Sequence, residues 1–281
     1  MILLSFDVEE FDLPLEYGKQ LSFSEQLSVS TKGTLIILDL LKKVNIKATF
    51  FVTANYAVSQ PQIISMIVKD GHELASHGYY HSKFADAHLL ESKLALERIS
   101  GSLVKGFRMA RMMPVDLLKL KQSGYTYNSS INPIWIPGRY NNLNKPRIWF
   151  FEKGIFQLPS SVSPLIRFPL FWLSFHIMPM QFIKWLSFRT YKKDKYLNIY
   201  FHPWEFTDLT HEKFGIPYYI SKNSGDAFVL RIQNFILSAQ KKGIEFGTID
   251  QFFDKISVIK QIVNNTDDFK EIENLSHGNE G

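Results

Sequence analysis

His77 and His81 stand four residues apart in the stretch from Gly71 to His81, directly after a short alternating run that reads as a strand. Neutral imidazoles at that spacing can reach one cation from a single turn of backbone. Alone the pair is a weak sign, because a polar loop would carry it equally well. Three other predicted strand ends strengthen it: Asp7 and Glu9 follow the first apolar run, Arg108 ends another strand, and His202 a third. A carboxylate with two imidazoles leaves a divalent ion with open positions, and zinc suits such a mixed nitrogen and oxygen set. Asp7 and Glu9 are two residues apart, so in extended chain both side chains face the same way. One can then bind the cation while the other faces a water. His202, approaching from a different strand, would put an acid opposite a base across a polarised carbonyl, which is what amide hydrolysis needs. Arg108 near Asp7 would keep that carboxylate ionised.

Such groups meet only if the elements behind them are arranged for it. Strand patterns at 1–6, 47–52, 73–76, 105–108, 196–201 and 244–246 are interleaved with helical patterns at 34–44, 61–70, 87–102, 114–122, 227–241 and 248–256. That alternation predicts parallel βα units wound right-handed. In a barrel of such units the C-terminal strand ends open on one face. Residues 125–165 read as long aromatic-rich loops around a strand at 147–152, and long ordered loops in a single domain are usually functional. The stretch 165–188 is the most apolar, but Arg167, His176, Lys184, Pro169 and Pro179 interrupt it. It is therefore expected in the core, along the substrate cleft, or at a membrane interface rather than across a bilayer. From 263 to 281 the chain is polar, and a disordered tail is expected after a domain covering 1–262.

Composition narrows the class. With 281 residues and 45% hydrophobic content, the chain can bury one large α/β core. The absence of cysteine excludes disulfides, thiolate metal sites and cysteine nucleophiles. The net charge of +5 is scattered, so no nucleic acid partner is expected. The first residues carry no basic n-region, and a cytoplasmic protein is expected, with contact to the inner membrane face through 165–188 as an added expectation.

Read together, Ser5-Phe6-Asp7-Val8-Glu9, Ala48 to Val52, Gly71 to His81, Gly106-Phe107-Arg108, Gly124 to Ser130 and Tyr200 to Glu205 resemble the polysaccharide deacetylase superfamily. This is the NodB-homology or carbohydrate esterase family 4 group, in its D-x-D/E branch. The resemblance implies a deformed (β/α)7-type barrel and metal-dependent removal of an acetyl group from an N-acetylated saccharide. It assigns Asp7 as catalytic base, His202 as catalytic acid, Arg108 as the residue orienting the base, and Glu9, His77 and His81 as metal ligands. Zn²⁺ is the expected metal, with Mn²⁺, Co²⁺ or Fe²⁺ as alternatives. Tyr79, Tyr80, Trp204 and Glu205 are expected at the substrate. Two departures stand out. Met109-Ala110-Arg111 follow Arg108 where the family has a small residue and a proline, and Asn128 replaces an aspartate. They keep open a catalytically weakened saccharide-binding protein, or an amidase for a non-sugar amide, on the same fold. If the missing aspartate tunes the acid, Glu205 or Asp208 must substitute.

Overall fold

The first apolar run forms β1 (Ile2–Val8), buried along its whole length. It does not alternate because both its faces are covered, as in a parallel sheet coated by helices. The computed structural model describes residues 1–137 and 140–258; the expected tail at 263–281 lies outside the described residues. The further strands are β2 (Thr49–Val52), β3 (Glu73–Ser76), β4 (Gly106–Phe107), β5 (Tyr127–Asn128), β6 (Trp135–Ile136), β7 (Tyr140–Asn141), β8 (Phe150–Glu152), β9 (Ile155–Gln157), β10 (Leu197–Phe201) and β11 (Phe246–Gly247). Seven of them run parallel in the order β10-β1-β2-β3-β4-β5-β9. β11 adds parallel to β1, β8 adds antiparallel to β9, and β6 and β7 form a separate hairpin. The expected deformed (β/α)7-type barrel in a single domain is what the chain forms.

The seam between β9 and β10 carries no strand ladder. Ser161 N–H donates to the Asn198 carbonyl at 2.9 Å, and Asn198 N–H donates to Ser161 Oγ at 2.8 Å. The Asn198 amide also reaches the carbonyls of Leu158 and Pro159. Coil and one asparagine therefore close the barrel.

Several helices differ from the sequence reading. The helix expected at 34–44 spans Phe23–Lys43, opened by a capping box between Ser22 and Glu25. Its polar first half hid the period. A helix at Ala54–Ser59, N-capped by Thr53, was not expected. Pro114 does not open the next helix: it spans Leu117–Gln122, because Asp116 accepts the Leu118 N–H at 2.8 Å. Residues 249–258 are helical with Thr248 as N-cap. The apolar stretch 165–188 divides into helices Trp172–Ile177 and Met180–Asp194, with Phe175, Ile183 and Leu186 in the core. Among the described residues no helix is long and apolar enough to cross a membrane.

Helix Phe23–Lys43 matters most for the chemistry, because it touches the segments after both β1 and β10. Ser30 Oγ donates to the Glu9 carbonyl at 2.5 Å. At Gly33, a Cβ would stand 1.9 Å from the Pro203 carbonyl oxygen. Gly33→Ala should therefore push the helix from the turn that carries His202, costing about 1–3 kcal/mol. Urea denaturation alongside turnover should show both stability and rate falling. Unchanged values in both would mean that the contact relaxes freely.

Candidate active site

Register sets the site. Asp7 pairs with Phe51 near the end of β1, Ser76 ends β3 just before His77, and Phe107 ends β4 just before Arg108. His202 follows β10 directly. All four strand ends meet at the C-terminal mouth of the barrel, in a cleft of about 370 Å³ lined by Asp7, Glu9, His77, His81 and His202.

Glu9, His77 and His81 form the group expected from the sequence: one ligand atom from each lies within 4.8 Å of the others. The Nε2 atoms of His77 and His81 stand 3.1 and 3.0 Å from the same oxygen, Glu9 Oε2. Each ring spends its other nitrogen elsewhere. His77 Nδ1–H donates to the Arg108 carbonyl at 2.9 Å, and His81 Nδ1–H donates to Asp12 at 2.8 Å. A neutral ring so anchored carries its lone pair at Nε2, facing Glu9, which is the arrangement that second partners impose on metal-binding histidines. Burial pushes the Glu9 carboxyl up to about 8, with Asp7, Asp12 and Glu10 adding to the rise and His81 opposing it. A buried carboxylate among three others fits a divalent cation, which would supply the missing positive charge. Asp12 was not foreseen; the density of acids from Asp7 to Asp12 was the available signal.

Arg108 is fully buried and lies over the Phe51 ring, 4.0 Å from its centroid. Its Nη1 donates to Asp7 at 2.6 Å and to Ser5 Oγ at 2.9 Å, while Nε and Nη2 donate to Ser129. Burial alone would raise the Asp7 carboxyl. The Arg108 guanidinium, through its charge and its hydrogen bond, counters that, and Asp7 is held below its ordinary 3.8. The loop after Arg108 differs from the expected pattern through left-handed backbone at Arg111 and Met112 (φ 58° and 53°). This turns Arg111 over Asp12 and Glu16, at 3.4 and 3.2 Å.

His202 lines the cleft opposite, stacked on Trp204 with ring centroids 4.7 Å apart. Its Nδ1 lies 2.9 Å from Glu205 Oε1, and Glu205 Oε2 lies 2.9 Å from His176 Nε2. Burial pushes both His202 and His176 down to about 3, and raises Glu205 well above the carboxylate range. The three therefore form one uncharged hydrogen-bonded chain.

The substrate-side expectations need correction at three residues. Glu205 is fully buried behind His202 and does not face the cleft. Tyr79 and Tyr80 do not line the cleft; they pack on each other and on His88, because the chain turns outward after Gly78 (φ 81°). Trp204 lines the cleft as expected, though it is 3% exposed and serves mainly as the floor under His202. His176, which in the sequence only interrupts the apolar stretch 165–188, is a member of the buried chain. Asn128 bonds Gln157 and Ser130, and the carboxyl bonded to His202 is that of Glu205.

Comparison with known proteins agrees with this geometry. The polysaccharide deacetylase family model matches residues 21–112, which include His77, His81 and Arg108. A peptidoglycan-N-acetylglucosamine deacetylase of Bacillus cereus is 33% identical over 79 residues, covering 26% of this chain and 29% of that protein. The chain spans less than a third of the length of the curated relatives it matches. A solved candidate polysaccharide deacetylase of Mycobacterium smegmatis superposes with TM-score 0.66 at 17% identity, over 92% of this chain and 90% of that one. A family 4 pseudoenzyme of Bacillus anthracis superposes at 0.51 and 12% identity, over 89% and 64%. The barrel fold is thus shared, and the family resemblance drawn from the motifs is borne out.

Proposed function

We propose that this chain is a hydrolase that removes the acetyl group from an N-acetylated saccharide, using a divalent cation held by Glu9, His77 and His81. The observation that carries the reading is that Asp7, bonded to Arg108, and His202, bonded to Glu205, line one cleft with the Glu9, His77 and His81 group. When bound, the cation would polarise the acetamide carbonyl and a water.

Asp7, held ionised by Arg108, accepts a proton from the attacking water. The carbonyl carbon gains the water's oxygen, and the carbon–nitrogen bond then breaks. The leaving nitrogen needs a proton, and His202 is placed to give it. An uncharged His202 donates from Nε2 only if Nδ1 accepts, and a protonated Glu205 supplies that bond. His202 then passes its Nε2 proton to the amine and takes the Glu205 proton at Nδ1, so it never carries the charge that burial disfavours. His176 Nε2–H holds the Glu205 carboxylate left behind. The products are acetate and the free amino sugar, and the proton on Asp7 returns the chain to its starting state.

Glu205→Gln keeps the shape and most hydrogen bonds but has no proton to give. Its kcat on an N-acetylated oligosaccharide should fall about 10²-fold or more, with KM and Tm little changed. A kcat within twofold of the native protein would remove Glu205 from the relay. The overall reading is tested by acetate release from N-acetylated chitooligosaccharide and peptidoglycan fragments. Release should vanish after chelation and return with Zn²⁺; no release from any acetylated saccharide, with metal bound, would overturn it.

A further inference from the structure

The loops around the cleft carry side chains that the chemistry does not use. Leu165 and Ile166 are 89% and 79% exposed, Tyr218 78% and Trp135 60%. They sit after β9, β10 and β5, all at the C-terminal end of the barrel, and the neighbouring Ile136 and Tyr219 line the cleft itself. We propose that this rim docks on an anionic membrane surface, and that the saccharide reaching Asp7 and His202 is anchored there on a lipid.

Leu165 and Ile166 are not loose. They cap a tight turn in which Ser163 N–H donates to the Phe168 carbonyl at 2.9 Å, and Phe168 N–H donates to Ser163 Oγ at 2.9 Å. Arg167 takes left-handed backbone (φ 51°) and donates to the carbonyls of Pro133 and Lys145, both at 3.0 Å. That fixes the turn beside the segment leading into Trp135. Strained backbone held by a buried-facing guanidinium keeps two aliphatic side chains pointing outward, against the hydrophobic effect, which suits a surface that inserts.

The exposed side chains come from three separate segments rather than from one continuous helix or strand face. Tips of Trp, Tyr, Leu and Ile suit the interfacial layer of a bilayer, where amphipathic rings settle and aliphatic tips are buried. The Arg167 guanidinium, which bonds two neutral carbonyls, puts positive charge beside Leu165 and Ile166, and that charge complements anionic lipid. Below the rim, Ile136, Phe171, Leu173 and Ile220 form an apolar stretch of the cleft wall that meets the carboxylates and histidines at its base. A sugar at the base with a lipid along that wall would fit both surfaces. The substrate half of the proposal rests on the deacetylase reading; the docking half does not.

The test is co-sedimentation of the whole chain with phosphatidylcholine vesicles, with and without phosphatidylglycerol. Acetate release is measured in parallel from a soluble N-acetylated oligosaccharide and from an N-acetylglucosaminyl lipid in those vesicles. The native chain should bind, more tightly with phosphatidylglycerol, and act faster on the anchored substrate. Leu165→Ser with Ile166→Ser should bind about tenfold more weakly. The double variant should lose the advantage on vesicles and keep the native rate on soluble substrate, whereas Ile166→Trp should bind more tightly. No binding to either vesicle, or native binding by the double variant, would overturn the docking. Binding without a rate advantage on the anchored substrate would overturn its substrate half. Failure on both substrates would sink the deacetylase reading and leave the docking result standing.

Discussion

Asp7→Asn should lower acetate release by about 10²–10⁴-fold while the cation content of the protein stays the same. The asparagine keeps an oxygen for the Arg108 Nη1 bond, now 2.6 Å long, but leaves the buried guanidinium without its counter-charge, so stability should fall while the fold is kept. What it loses is the lone pair that takes the water's proton. No neighbour replaces it. Glu9 is committed to the cation group, and His202, at about 3, is uncharged and bonded to Glu205 on the far side of the cleft. Metal analysis beside steady-state kinetics separates the outcomes. A variant within tenfold of native activity would move the base elsewhere, and one that also lost its metal would make Asp7 a ligand.

Arg108→Met should be the most destabilising single change in the site, by about 3–5 kcal/mol at pH 7. It leaves the Asp7 carboxylate buried beside Glu9 without its main compensating charge, and it strips Ser5 and both Ser129 atoms of a partner. The pH dependence has a definite sign. Asp7 has its folded value depressed below 3.8, so its bond to Arg108 contributes stability that is present above that pH and is lost as pH falls through the folded value. The gap between native protein and variant should therefore be widest near neutrality and should narrow as pH falls, first as the buried Asp7 of the variant takes up its proton above its ordinary 3.8 and then as the native Asp7 does so below it. Urea denaturation at several pH values measures it. A gap that stayed constant with pH would mean that Arg108 acts through packing over Phe51, not through charge.

The convergence of Asp7, Glu9, His77, Arg108 and His202 was legible because strand ends are local. A run such as Leu3-Leu4-Ser5-Phe6-Asp7 announces both a buried strand and the polar group at its tip, and parallel βα order does the rest. What supports the constellation was not legible. His176 lies 29 residues from Glu205 and meets it only because helix Trp172–Ile177 packs against β10. Asp12 reaches His81 across 69 residues of sequence. Such partners have no spacing rule, since the contacts are made by tertiary packing. Tyr79 and Tyr80, expected at the substrate, lie outside the cleft lining for the converse reason. Proximity to His77 in sequence is undone by one glycine in left-handed conformation, which turns the next residues away.

Asn198 gives the barrel a weak line. Where β9 and β10 would form a ladder, a single backbone bond and the side chains of Ser161 and Asn198 span the seam, and the Asn198 amide also donates to Ser129 Oγ at 3.1 Å, the hydroxyl that holds Arg108. Ladders open cooperatively, whereas a seam of side-chain bonds can open by itself, at a free energy well below that of global unfolding. The Ser161 amide, which crosses the seam, should thus exchange with solvent ahead of those in β1. Each such opening would also slacken the grip on Arg108, so the seam's breathing rate bears directly on how often Asp7 is correctly held.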